Sequence, residues 1–287
     1  MKRAVIIIFV GFALAAALSV RTQAQGITEV YAREHIVNKD PIPYSYLREA
    51  DVFWAKDIYR IIDLKQKQNH CLYYPSKPIG DRINLVDLVL KGIDTEGIRA
   101  FSTDDRLNEF TIPLTREQID GVFDAGLDTI IAIDVNTNQP ITTTVSNPRK
   151  TEEVKQIMVK EKWFFDRNHS VMNVRIIGLC PIRIYNKLDD QGMPTDVVLK
   201  EQTFWVYFDE IRPLLSNHEI FNRNNDAQRI SFDDFFMQRR FNSYIFAESN
   251  VYDNRWINSY AVGVDALLEA EKIKEWLFDI EHDLWEY

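Results

Sequence analysis

From residue 172 to residue 185 the chain alternates. Met172, Val174, Ile176, Gly178, Cys180, Ile182 and Ile184 take the even positions, and Asn173, Arg175 and Arg183 take odd ones. A period of two sends successive side chains to opposite faces, so this stretch predicts a long strand with one buried face. Pro181 lies inside the pattern and predicts an edge position or a bulge, because proline cannot donate to a ladder. Residues 203–208 follow with Phe204, Trp205, Val206, Tyr207 and Phe208. Aromatic residues on both faces predict a strand covered on both sides. The turn-rich segment 187–194 around Gly192 lies between the two, so they are expected to pair as an antiparallel hairpin.

Helical spacing is found elsewhere. Leu47, Ala50, Trp54, Ile58, Ile61 and Leu64 recur every three or four residues. That stripe predicts an amphipathic helix over 47–68, with Lys56, Arg60, Lys65 and Lys67 facing water. The helix must stop before Leu72-Tyr73-Tyr74-Pro75, because a proline pushes its predecessor out of the α region. Thr115-Arg116-Glu117-Gln118 fits a capping box and predicts a helix from Arg116 to about Ala125. Near the end, Ala266, Ala270, Ile273, Leu277, Ile280 and Leu284 form a narrow apolar seam ringed by glutamates. That seam suits a helix docked on its own domain or one offered to a neighbouring subunit. Trp276 and Trp285 lie off it and are candidate partner contacts.

Between these landmarks the signals are shorter. An apolar run over 83–90 ends at Gly92, and residues 98–101 and 109–112 read as short strands around a charged turn. Residues 130–145 lean towards β and are interrupted at 136–140. The softest joint is 146–150, Ser-Asn-Pro-Arg-Lys.

The first residues bear on destination. Lys2 and Arg3 precede an apolar run from Ala4 to Val20, followed by Arg21-Thr22-Gln23-Ala24. A basic start, an apolar middle and small residues at the end predict an export signal cut after Ala24. The alternative is an uncleaved anchor, since the run approaches the length of a membrane span. No cysteine follows the run as a lipid attachment site would require; the first is Cys71. With the signal removed, the formal charge changes from −9 to −12 through loss of Lys2, Arg3 and Arg21. So acidic a chain is a poor partner for a phosphate backbone, which argues against nucleic acid. In an oxidising compartment Cys71 and Cys180 either bond to each other or stay as buried thiols. A bond would close a loop of 180 − 71 = 109 residues, worth about 4–5 kcal/mol in the chain-entropy model.

Catalytic patterns are sought and not found. There is no glycine-rich phosphate loop, no nucleophile elbow and no pair of histidines at zinc spacing. Asp134-Val135-Asn136-Thr137-Asn138 begins like a calcium loop, but Gln139 replaces the required glycine and Val145 the closing glutamate. The pairs Asp104/Asp105, Asp189/Asp190 and Asp233/Asp234 read as solvated turns. His35, His70, His169, His218 and His282 are scattered. No catalytic, cofactor or metal residue is therefore assigned.

Several phrases, in order, resemble the gliding-motility GldN (PorN) family of the Bacteroidetes type IX secretion machinery. They include Ala50-Asp51-Val52 with Trp54, Ile61-Ile62-Asp63-Leu64, Asn69-His70 and Leu72-Tyr73-Tyr74-Pro75. Lys162-Trp163-Phe164-Phe165-Asp166, Val174-Arg175-Ile176-Ile177-Gly178 and Phe204-Trp205-Val206-Tyr207-Phe208 continue the series. Glu248-Ser249-Asn250-Val251-Tyr252-Asp253 and Glu281-His282-Asp283-Leu284-Trp285 close it. The resemblance implies a periplasmic, non-enzymatic subunit that forms a ring with a GldK (PorK)-like outer-membrane lipoprotein and contacts a GldM (PorM)-like motor component. It makes Tyr73 and Tyr74 candidate contacts, and it implies neither a cofactor nor a small-molecule substrate.

The expected fold is α+β, with helices and short strands in the N-terminal half, then an antiparallel sheet and a long terminal helix. The expected organisation is a signal at 1–24, an extended arm at 25–45 and one domain at 46–287, divisible at most into 46–147 and 150–287. The alternative function is an exported enzyme or ligand-binding protein, supported by Trp163, Trp205 and Trp256 near histidines and carboxylates.

Overall fold

The computed structural model describes residues 39–283, apart from residue 81 and the segments 105–108, 134–139, 189–193, 223–224 and 226–229. The proposed cleavage site at Ala24 and the tail residue Trp285 lie outside the described residues. Among the described residues eleven strands run in chain order: β1 Val52–Asp63, β2 Ala100–Phe101, β3 Gly126–Ile133, β4 Pro140–Asn147, β5 Val154–Asp166 and β6 Val171–Leu188. Then come β7 Pro194–Gln202, β8 Trp205–Tyr207, β9 Glu219–Ile220, β10 Ile230–Ser231 and β11 Tyr244–Glu248. The helices are α1 His70–Tyr73, α2 Leu85–Thr95, α3 Arg116–Val122, α4 Phe208–Ser216, α5 Phe232–Met237 and α6 Val264–Asp283. The class is α+β, with the large antiparallel sheet and the long terminal helix that the patterns predict.

The main sheet has the order β11-β1-β5-β6-β8-β2, with β7 also paired to β6. Its centre is the β1-β5-β6 triple, in which β5 lies antiparallel to both neighbours along its length. β3 and β4 form a separate hairpin, from Gly126 opposite Asn147 to Ile133 opposite Pro140.

The predicted helix over 47–68 is instead strand β1. Val52, Phe53, Trp54, Ile58, Tyr59, Ile61 and Ile62 are β-branched or aromatic, the types that fit a pleated surface. β1 is apolar on both faces, and this erased the period of two. Ile62 and Leu64 enter a core cluster with α2, α4 and α5, while Tyr59 and Ile61 enter another with Trp205 and Phe246. Superposed alternations on two faces can mimic a step of three and four.

β6 also departs from its predicted form. It is an interior strand, and the register with β5 slips between Lys160 and Glu161, opposite Gly178 and Ile176. Ile177 is the extra residue, so Ile176 and Leu179 pack on one face and Cys180 and Ile182 on the other. Pro181 is not on an edge. It sits where the neighbour changes from β7 to β8, and Thr203 N–H and Oγ donate to its carbonyl at 3.0 and 2.9 Å. Gly178 is required there: a Cβ would stand 2.5 Å from Phe110 Cζ and 2.9 Å from the Val206 carbonyl.

The hairpin after β6 forms with β7, whose polar sequence hid it, while β8 pairs with β6 further along at Gly178 and Leu179. Residues 109–112 form a turn instead of a strand. Phe110 packs edge-on against Phe101, Trp205 and Tyr207, while Ser102 N–H still donates to the Ile112 carbonyl at 2.8 Å and Phe101 bridges Pro113. The capping box at Thr115 and Gln118 forms, and α3 ends at Val122. Cys71 and Cys180 are free thiols, one packed on the helix-covered cluster and the other in the cluster across the sheet. Burial pushes the Cys71 thiol up to about 11, so it stays protonated at neutral pH.

Two large apolar clusters on one face, the α2/α4/α5 cluster and the α6 cluster around Ile58, meet at a buried charge. The fully buried Glu161 carboxylate accepts from Arg239 at 2.7 Å, Trp163 Nε1 at 3.0 Å and Arg60 Nε at 3.1 Å. Glu161→Ala leaves the half-buried Arg60 guanidinium unpaired and is expected to cost about 3–5 kcal/mol in urea unfolding. A loss near zero would show that the carboxylate does not join the two clusters.

Candidate interaction surfaces

The exit from β1 builds an open groove. The Asn69 side chain, fully buried, donates to the Asp63 and Asn242 carbonyls at 2.8 and 2.9 Å and accepts from Asn242 N–H at 2.9 Å. That clamp fixes the turn from which α1 rises. Leu64, Lys65, His70, Tyr73, Tyr74 and Lys155 then line a groove of about 340 Å³. Tyr73 hydroxyl donates to the Glu152 carbonyl at 3.0 Å and accepts from Lys155 Nζ at 2.7 Å. Tyr73 is therefore committed to its own chain. Tyr74 meets Tyr73 edge-on at 5.0 Å and His70 at 5.8 Å, yet remains 53 % exposed. The groove offers aromatic edges beside two lysines, a setting for an apolar side chain next to a carboxylate.

α6 presents two faces. Its seam turns inward: Ala270 and Leu277 are buried and Ala266 and Ile273 partly so, against Ile58, Ile245, Ile257 and Ala261. Trp276 is also engaged, edge-on to Trp54 at 5.8 Å with Lys56 Nζ 4.3 Å above its ring. The sequence reading missed the outer face, where Leu267 and Leu268 are 60 % and 55 % exposed and Phe278 is 65 % exposed. Their spacing was the available signal, obscured by Glu271 and Lys274 between them.

Two arginines hold the peripheral segments. Arg212 pairs with the Asp233 carboxylate at 2.9 and 3.3 Å and donates to the Ile42 carbonyl at 2.5 Å, strapping residues 39–45 across α4. Tyr44 lies between Arg212 and Arg175, 4.6 and 4.9 Å from its ring, beside an open groove of about 440 Å³. Burial pushes its phenol up to about 12. Arg183, predicted to face water, is buried. It donates to Glu153 and to the Val122 carbonyl, both at 2.6 Å, pairs with Asp124, and stacks on Tyr185 at 4.1 Å. Hydrogen bonding from Arg183 holds the Asp124 carboxyl below its ordinary range. Tyr185 in turn donates to Glu201 on β7 at 3.0 Å. One guanidinium thus ties the root of the β3-β4 hairpin to the β6-β7 hairpin.

The groups screened for chemistry have structural partners. Asp233 pairs with Arg212, and the Asp234 carboxylate takes Lys39 and accepts from the hydroxyl of Ser231, the residue that caps α5 by accepting from Asp234 N–H. His70 bonds the Lys65 carbonyl, His169 the Asp166 carboxylate and His218 the Leu214 carbonyl. Asp105, Asp189, Asp190, His35 and the calcium-like segment from Asp134 to Asn138 lie outside the described residues. Among the described residues, no cluster of histidine, cysteine and carboxylate side chains could hold a metal ion. Nor is any described helix long and apolar enough to cross a membrane.

The chain matches the family model of the gliding motility associated protein GldN over residues 47–286. That span covers the whole main sheet and all of α6, and the chain belongs to this family. Membership makes it a component of the gliding-motility and type IX secretion machinery. No curated protein matches the chain.

Arg183→Met removes the shared anchor of both hairpins while leaving Asp124 and Glu153 access to water. A loss of about 1–3 kcal/mol is expected, with faster amide exchange at residues 122–126 and 184–186. Unchanged exchange at both roots would refute the coupling.

Proposed function

From membership in the GldN family, we infer that this chain is a non-enzymatic structural subunit that works in the periplasm. An export signal ending at Ala24 delivers it there. It attaches to the membrane through a GldK (PorK)-like outer-membrane lipoprotein, with which it builds a ring. It also links that ring to a GldM (PorM)-like motor component. The observation that carries the reading is the family match over residues 47–286. The exposed face of α6 supports it, because Leu267, Leu268 and Phe278 leave apolar area that a protein partner would cover. The groove beside Tyr74 is a second contact of the right chemistry. Trp276 contributes its exposed edge only, because Trp54 and Lys56 hold the rest.

The physical demands on such a subunit match its construction. A force-bearing link needs a rigid centre, and a long ladder with buried ion pairs supplies one. It needs partner surfaces at the periphery, where the hairpins, α6 and the Tyr74 groove lie.

The mature chain, mixed with outer-membrane lipoproteins of its host and extracted in detergent, is expected to co-purify in particles far larger than the chain alone. A chain that stays separate from every lipoprotein would contradict the reading. Tyr74→Ala together with Leu268→Asp should weaken co-extraction at least about tenfold without lowering stability.

A further inference from the structure

β7 is the most exposed strand of the sheet. It pairs with β6 on one side, and among the described residues no strand meets its other edge. Val197 and Val198 are 55 % and 56 % exposed and Leu199 is 36 % exposed. Proteins usually blunt such an edge with charge, proline or a covering element, because unpaired N–H and C=O groups invite another strand. Here the middle of the edge is Val-Val-Leu. Its charges stand outside that centre, Asp196 two residues before Val198 and Lys200 two residues after it.

That symmetry specifies a partner. We propose that β7 is a self-recognition strand, through which two copies of the chain pair antiparallel about a two-fold axis at Val198. In this register Asp196 lies opposite Lys200 of the second copy, and Lys200 opposite its Asp196. Val197 meets Leu199 and Val198 meets its own equivalent. Opposite charges directly across an antiparallel pair stabilise it and like charges oppose it. Neighbouring registers fail this criterion. An axis at Val197 sets Asp196 against Val198, and one at Leu199 sets Lys200 against Val198 and Glu201 against Val197, so neither pairs opposite charges. Because side chains alternate, Asp196, Val198 and Lys200 share one face while Val197 and Leu199 share the other. The β6-β7 hairpins of two copies would thus join into one four-stranded sheet. A two-fold contact closes on itself and yields pairs. It is therefore separate from the head-to-tail contact that a ring requires and goes beyond the function proposed above.

Sedimentation of the mature full-length chain over a concentration series tests this. The wild type should form a dimer. Asp196→Lys and Lys200→Asp should each weaken it about tenfold or more, since each turns two attractive cross-strand pairs into repulsive ones. The double variant D196K/K200D should restore dimerisation. Both positions are exposed, so melting curves should stay unchanged in all variants. A wild-type monomer throughout the series, single reversals that dimerise like wild type, or a double reversal that does not recover would each overturn the proposal. Lipoprotein co-extraction of the single reversals should persist, which separates failure of this contact from failure of the ring reading.

Discussion

The Glu161 carboxylate is the joint on which the two halves of the covered face depend. It is fully enclosed on the central strand and is shared by Arg60 from the next strand, Arg239 from the segment after α5 and the Trp163 indole. An unpaired carboxylate there would be prohibitively unfavourable, so burial obliges these donors to converge. Convergence fixes where the α2/α4/α5 cluster ends and the α6 cluster begins. The opposite face uses the same device one residue earlier: Lys160 reaches Glu109 at 2.6 Å, and Tyr59 donates to the same carboxylate. Burial and that acidic neighbour raise the Tyr59 phenol well above its ordinary range.

Because the sheet centre is covered on both faces, reactive and adhesive surface is displaced to the margins. The β6-β7 hairpin projects past the ladder shared with β5, the β3-β4 hairpin stands on its own, and α6 covers only one end. Arg183 and Arg212 fasten these margins to the core through carbonyl and carboxylate acceptors. A subunit built to be gripped by other proteins needs this division between stiff interior and available edge. The family assignment and the geometry point the same way.

Much of this was legible in the sequence, and the failures share a cause. The capping box at Thr115 read true because it is a local exchange of two hydrogen bonds. The seam of α6 did so because water on one side keeps the period clean. β1 was misread as a helix because both of its faces are apolar. β7 was invisible because exposure on both faces removes the alternation that marks a strand. Arg183 was placed in water because a charge inside an alternating pattern carries no sign of its partners, which come from residues 122–124 and 153. The aromatic exit at Tyr73 and Tyr74 was found, but the sequence could not show that Tyr73 is spent on Glu152 and Lys155. The bulge at Ile177 was hidden too, since it exists only relative to β5.

The central claim is a rigid two-faced sheet whose partners bind at its margins. Amide hydrogen exchange on the chain alone and on the chain assembled with host outer-membrane lipoproteins tests it most directly. The account predicts that β1, β5 and residues 176–182 of β6 are strongly protected in both states. It also predicts that protection rises on assembly at β7, at residues 264–278 and around Tyr74. Protection gained mainly in the central strands, with no change at those margins, would contradict it.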